Sequence, residues 1–191
     1  MRCGLVMTLV TALAAQEPAG GSLTLEVRVF NGAEEVTPFT RITVHKAGER
    51  ADPIAQTSSG DGRVGLQVPA GIYDVQAIHE RDGRVVNIRW ANRLVVMPYP
   101  DEQGHHLEVI NFKNGFGALQ VRGGERERAE ASLYELGRRD KPAAIPLKGP
   151  GYTLFIVPAG QYDLQVYSAG KAVWQTGLEV PLDRTRLWVI Q

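Results

Sequence analysis

The sequence predicts an all-β protein: two tandem antiparallel Greek-key β-sandwich domains related by an internal duplication. Three observations predict it. Apolar and polar residues alternate over short runs, the period of a half-buried strand. Turn-forming residues separate those runs at intervals of about 8 to 12 residues, the rhythm of a sandwich. One nine-residue segment also occurs twice. No stretch keeps a helical period.

In the first half Leu23-x-Leu25-x-Val27-x-Val29 alternates strictly, followed by Ile42-x-Val44, Val64-x-Leu66-x-Val68, Tyr73-x-Val75-x-Ala77 and Val86-x-Ile88-x-Trp90. Asn31-Gly32, Gly60-Asp61-Gly62 and Asp82-Gly83 supply turns. The second half offers Leu119-x-Val121, Ser132 to Leu136, Thr153-x-Phe155-x-Val157, Tyr162-x-Leu164-x-Val166 and Leu187-x-Val189, with Ser168-Ala169-Gly170 as a turn.

Val68-Pro69-Ala70-Gly71-Ile72-Tyr73-Asp74-Val75-Gln76 recurs as Val157-Pro158-Ala159-Gly160-Gln161-Tyr162-Asp163-Leu164-Gln165, seven of nine positions identical at an offset of 89. Pro53 and Pro142, Ala55 and Ala144, and Val44 and Leu133 share that offset. Trp90-x-x-Arg93-Leu94-x-Val96 matches Trp174-x-x-Gly177-Leu178-x-Val180 at 84, and Leu107-x-Val109-Ile110 matches Leu187-x-Val189-Ile190 at 80. Offsets that shrink along the chain are those of copies differing in loop length. The expected division is a signal peptide over 1–15, a first sandwich over 22–112, a linker over 113–117 and a second sandwich over 118–191. The linker is short and contains Phe116, so the sandwiches are expected to touch, with Phe112 or Phe116 between them.

Met1-Arg2, the uncharged run from Cys3 to Leu13 and the small residues Ala12-Leu13-Ala14-Ala15 read as a secretory signal peptide. The expected location is therefore periplasmic or extracellular, and the apolar run is too short to span a bilayer. Cys3, the sole cysteine, lies inside this segment, so a disulfide framework is excluded. The 191 residues carry 21 Lys+Arg against 21 Asp+Glu, a balance that argues against a nucleic-acid partner. A hydrophobic content of 43% supports packed cores. Glu125-Arg126-Glu127-Arg128 and Arg138-Arg139-Asp140-Lys141 mix signs and read as solvated loops.

The repeated segment has a structural reading. Pro69 and Pro158 end a strand because proline cannot donate to the ladder, and Gly71 and Gly160 permit the positive φ of a tight turn. Tyr73 and Tyr162 open the next strand on the core face, where each hydroxyl can reach the backbone around the corner. Asp74 and Gln76, like Asp163 and Gln165, alternate to the other face, as a polar binding strip or a solvated sheet face.

Thr57-Ser58-Ser59-Gly60-Asp61-Gly62-Arg63-Val64-x-Leu66-x-Val68-Pro69-Ala70-Gly71-x-Tyr73-Asp74-Val75 resembles the carboxypeptidase-regulatory-like group of domains. The second half keeps Val157-Pro158-Ala159-Gly160-x-Tyr162-Asp163 but has Gly149-Pro150-Gly151 in place of the Asp-Gly turn. The resemblance implies a transthyretin-like (prealbumin-like) sandwich in each half, used as an accessory module on exported proteins. Transthyretin-like folds include a hydrolase of hydroxyisourate; this chain ends in Trp188-Val189-Ile190-Gln191 and lacks the Tyr-Arg-Gly-Ser ending associated with that enzyme.

No Gly-x-Ser-x-Gly elbow, His-Glu-x-x-His, Cys-x-x-Cys or phosphate-cradling loop occurs, so no catalytic residue and no cofactor is expected. His105 and His106 follow Asp101 and Glu102, and with His79 they are the weak candidates for a metal site. Neighbours in an extended segment face opposite ways, which works against two adjacent imidazoles on one ion. Asp61 lacks the further oxygens of a calcium loop. His45 reads as a half-buried strand residue. Trp90 and Trp174 recur at matched positions and read as core, whereas Tyr99 and Trp188 have no aromatic counterpart and are candidates for an exposed stacking platform. The leading functional reading is an exported non-catalytic module that binds a protein or envelope component, or spaces something else. A carbohydrate-binding protein using exposed aromatics is the second reading, with polysaccharide as partner, and a hydrolase using His79, His105 or His106 the third.

Overall fold

A computed structural model describes residues 22–58, 64–98, 105–123, 130–168 and 170–190. The first half runs β1 (Leu23–Asn31), β2 (Glu34–Glu35), β3 (Thr40–Lys46), β4 (Ala55–Ser58), β5 (Val64–Val68), β6 (Gly71–Arg81), β7 (Arg84–Val96) and β8 (His105–Asn111), with one 3-10 turn at Thr37–Phe39. The second runs β9 (Phe116–Arg122), β10 (Glu130–Glu135), β11 (Leu147–Gly149), β12 (Tyr152–Pro158), β13 (Gly160–Ser168), β14 (Lys171–Val180) and β15 (Thr185–Val189). No α-helix occurs among the described residues. The protein is all-β.

Four sheets form. β1 is flanked by β5 and β2 along one edge and by β8 along the other; β4-β3-β6-β7 make the second sheet. β11-β12-β9-β15 and β10-β13-β14 make the third and fourth. Among the described residues neighbouring strands are antiparallel except where the first strand of each half meets the last, β1 with β8 and β9 with β15. An all-antiparallel reading is corrected there, for a simple reason. β5 runs against β1, and three reversals through β6 and β7 leave β8 running with it; β12 through β15 repeat the count.

Alternation along each strand distributes the side chains over three apolar layers. Leu25, Val27 and Val29 face Ile42, Val44, Val75 and Ala77 between the first and second sheets. Leu119, Val121, Phe155 and Val157 face Leu133, Leu164 and Val166 between the third and fourth. A third layer lies between the first and third sheets, where Phe30, Leu107 and Val109 meet Ala118, Leu154, Ile156 and Phe116. The sheets therefore stack four deep. Phe116 packs in this middle layer, whereas Phe112 packs on the first core and stacks on His79 at 5.9 Å.

Trp90 and Trp174 are not core residues. Register sets Ala91 opposite the inward Val75 and Trp90 opposite the outward Gln76, so the indole lies half-buried on the outer face. Trp174, opposite Gln165, does the same. Each ring is covered by a guanidinium, Arg50 at 4.4 Å and Arg139 at 4.1 Å from the ring centroid.

Candidate functional site

The repeated turn is built around its tyrosine. Tyr73 is buried and its hydroxyl donates to the Pro69 carbonyl at 2.6 Å; Tyr162 donates to the Pro158 carbonyl at 2.7 Å. Gly71 and Gly160 do not take positive φ, which corrects the reading of why glycine stands there. At Gly71 the reason is room, because a Cβ would sit 2.9 Å from the Tyr73 hydroxyl oxygen. At Gly160 the nearest atom, Tyr162 Cε2, would be at an ordinary 3.7 Å.

Asp74 and Asp163 are not an exposed strip. They are 3% and 2% exposed. Asp74 Oδ1 accepts from the Arg93 amide at 2.9 Å and Oδ2 from the Gly48 amide at 3.1 Å. Asp163 accepts from the Gly177 and Gly137 amides at 3.2 and 3.3 Å. Arg93 and Gly177 sit in bulges where the ladder register shifts, both with positive φ, +57° and +65°. Arg50 at 3.6 Å and Arg139 at 3.4 Å add ion pairs to the same carboxylates. The Arg93 and Gly48 amides hold the Asp74 carboxyl below the usual range. At Asp163 burial raises it, and the Gly177 and Gly137 amides with Arg139 overcome that and hold it low. Each aspartate thus ties a turn to a bulge. Gln76 and Gln165, half-buried on the outer faces, accept from Thr43 Oγ1 and the Tyr134 hydroxyl at 3.4 and 3.3 Å.

The histidines do not converge. His105 and His106 stand opposite Thr24 and Leu25 and point to opposite faces of β8. His105 Nε2 donates to Glu26 Oε2 at 2.9 Å, in the seam between the first and third sheets. His106 is buried and its Nε2 donates to the Met97 carbonyl at 2.5 Å. His79 lies under Phe112, and His45 is buried against Trp90 at 5.5 Å. Among the described residues no three His, Cys, Asp or Glu side chains are grouped to hold a metal. Asp101, Glu102, Asp61 and Tyr99 lie outside the described residues. Trp188 is half-buried against the core of its own half, so it is no exposed platform. The residues 1–15 read as a signal peptide also lie outside the description, and no described helix is long and apolar enough to cross a membrane.

A concave site among the described residues lies elsewhere, at the open side of the first half. A groove of about 510 Å³ runs between the edges of β7 and β8 and ends against Phe116 to Ala118 and Asp183 to Thr185. Each of these strands has a single ladder partner among the described residues, β7 with β6 and β8 with β1. Leu107 and Val109 turn into the middle layer, so Glu108 shares the opposite face with His106 and Ile110 and lines the groove. Its carboxylate has no hydrogen-bond or ion-pair partner among the described residues, and burial pushes it up to about 7. Arg89, also in the lining, pairs with Asp183 at 2.9 Å and donates to the Asn111 carbonyl. From sequence the repeat sets Glu108 at the position of Trp188 but assigns it no role. An acid standing in for an indole was the available signal, and that the position faces the core is visible only in the structure.

No family model and no curated protein matches the sequence. Among solved structures the chain is similar to the Bacillus anthracis TIE protein, at 15% identity and TM-score 0.35 over 90% of this chain and 34% of that one. It thus spans about a third of that chain's length. It is also similar to GBS52, the minor pilin of Streptococcus agalactiae, at 13% identity and TM-score 0.31 over 88% of this chain and 94% of that one. The tip fimbrial protein Mfa3 from Porphyromonas gingivalis follows at 9% identity and TM-score 0.35, with the same two coverages, 88% and 94%. Scores at this level carry no functional inference.

Proposed function

We propose that the chain is an exported, non-catalytic module, two β-sandwich domains related by duplication, that works by presenting surface to a protein or envelope partner. The observation that carries the reading is the use made of the repeated polar residues. Asp74, Tyr73 and Arg50, with Asp163, Tyr162 and Arg139, are buried in or bonded to turns and bulges, so their chemistry serves folding. A catalytic site needs nucleophilic or titratable groups held within mutual reach, and the described histidines bond or stack separately. The boundaries at 112 and 118, the signal peptide over 1–15 and the carboxypeptidase-regulatory-like resemblance belong to the same proposal.

The middle layer supports it. Phe30 and Ile156 pack the first and third sheets together, and Tyr152 donates to Glu26 Oε1 across them at 2.6 Å. Halves fixed in this way present their edges and grooves in one arrangement, which lowers the entropic cost of docking. The carbohydrate reading loses one of its two aromatics with Trp188 packed inward, and the other, Tyr99, lies outside the described residues. Affinity capture with the full chain from an extracytoplasmic fraction is the test. Recovery of one specific protein supports the reading, and a reproducible hydrolytic activity in the purified chain ends it.

A further inference from the structure

We propose that the groove between β7 and β8 is a strand-docking site, in which an extended segment of a partner protein pairs its main chain with the free edge of β8 and sets a lysine or arginine side chain against Glu108. The inference rests on the reading of the chain as a protein-binding module and names the chemistry of its partner.

The edge comes first. β8 hydrogen-bonds along one side to β1 over its whole length. On the groove side Arg89 donates to Asn111 and, at the other end of the strand, Arg122 Nη2 reaches the His105 carbonyl at 3.4 Å. Between those ends, Leu107 to Ile110 have β1 as their only ladder partner among the described residues. A seven-residue edge of this kind is a template for strand addition, with affinity from the main chain and selectivity from alternate side chains.

The second half shows what the equivalent position does when closed. There the edge strand β15 places Trp188 against its own core, filling the side of the sandwich. The first half puts Glu108 in that place and leaves a groove. An added strand would set its own side chain opposite Glu108 on the same face. An apolar residue there would bury the carboxylate without a partner, which is costly, whereas a cation would satisfy it. The acid therefore acts as a gate: an inward charge on an edge strand discourages indiscriminate pairing and admits a strand that complements it.

The other charges of the groove narrow the partner further. Arg89 and Asp183 neutralise each other at 2.9 Å. Arg93 and Arg184 are exposed cationic members of the lining. They disfavour a uniformly basic segment, so the matching strand carries one central cation flanked by neutral or acidic residues.

The test uses the full chain and labelled nine-residue peptides of alternating Thr and Val with a central Lys and Glu at both ends. Control peptides have Glu at the centre, or the same Lys with alternate main-chain nitrogens methylated. The Lys peptide is expected to bind at least about tenfold more tightly than the Glu peptide, with methylation abolishing binding. Carbodiimide should couple the bound lysine to Glu108, read by peptide mapping. Binding should weaken as pH falls below about 7, where Glu108 takes up its proton. The other groups facing it are Arg89 and Asp183, which pair with each other, the exposed Arg93 and Arg184, and His106, which is tied to Met97. Glu108→Gln should erase the Lys preference, and Glu108→Trp should abolish binding of every peptide while circular dichroism stays unchanged. Equal binding of the two peptides, or binding untouched by Glu108→Trp, overturns the inference; so does concentration-dependent self-pairing that protects the amides of β8. If Glu108→Trp still captures the wild-type partner, the groove inference falls and the module reading stands. If the Lys peptide binds at Glu108 while the chain captures no protein, the site stands and the module reading falls.

Discussion

Two glycines at matched positions have different work, because the tyrosine two residues on lies closer to one of them. A methyl group on Gly71 would press on the Tyr73 ring and hydroxyl at 2.9 to 3.4 Å, and on Gly160 it would meet only ordinary contact at 3.7 Å. Gly71→Ala should therefore destabilise the chain by about 1 to 3 kcal/mol, the cost of overpacking, and Gly160→Ala should change stability by well under that. Urea unfolding of the two variants checks the contrast, and equal effects would refute it. Removing either hydroxyl with Tyr73→Phe or Tyr162→Phe should cost about 1 kcal/mol, whereas truncation to Ala should cost about 3 to 5 kcal/mol, as for large core aromatics. Buried phenols of this kind were readable from Pro-x-Gly-x-Tyr because the whole interaction spans four residues. The reason for the glycine was not, since steric room depends on a ring rotamer that sequence does not specify.

At the scale of the element, the aspartates hold a turn and a bulge on adjacent strands, so their effect should show against pH. Both folded pKa values lie below the unfolded value of about 3.9, so their stabilisation is fully present above that pH and lost as pH falls through the folded values. Asp74→Ala and Asp163→Ala should each flatten the acid limb of a stability–pH curve below about pH 4. Arg93, in a left-handed conformation that strains any side chain, stands where the second half has Gly177. Arg93→Gly should be neutral or stabilising and Gly177→Ala destabilising, each by about 1 kcal/mol. This device is missed by reading the aspartates as a strip or a solvated face, although Gly48 and Gly137, and Arg50 and Arg139, share the offset of 89 that relates Asp74 to Asp163. Strands and hairpins were legible for local reasons, with Asp82 and Gly83 both at positive φ in the turn their sequence predicts. The placement of Trp90 was misread because a shared position says nothing about which face it occupies.

At the scale of the molecule, the seam between the first and third sheets was hidden from sequence. Thr24, Glu26 and Arg28 alternate with the core residues of β1, on the face that a half-buried strand leaves to solvent, yet Glu26 and Arg28 are 4% and 3% exposed. Only the stacking of a second sheet explains that burial. Glu26 accepts from His105 and Tyr152, and Arg28 is held by Glu35 through Nε at 2.9 Å and Nη2 at 2.5 Å. Burial raises the Glu26 pKa, but the His105 and Tyr152 hydrogen bonds outweigh it and hold the carboxyl below its ordinary value. The seam is therefore strongest above the unfolded glutamate value of about 4.3 and weakens as pH falls through the folded one. Cooperativity should follow the seam. With Phe30 fully buried between the sheets, the chain should unfold near neutral pH in a single calorimetric transition. Phe30→Ala, which leaves both outer cores untouched in composition, should cost about 3 to 5 kcal/mol and split the transition in two. Glu26→Gln should keep one transition near pH 7 and remove the acid sensitivity of the coupling. Two transitions already in the wild-type chain would show that the seam does not couple the halves, and the fixed geometry invoked for docking would go with it.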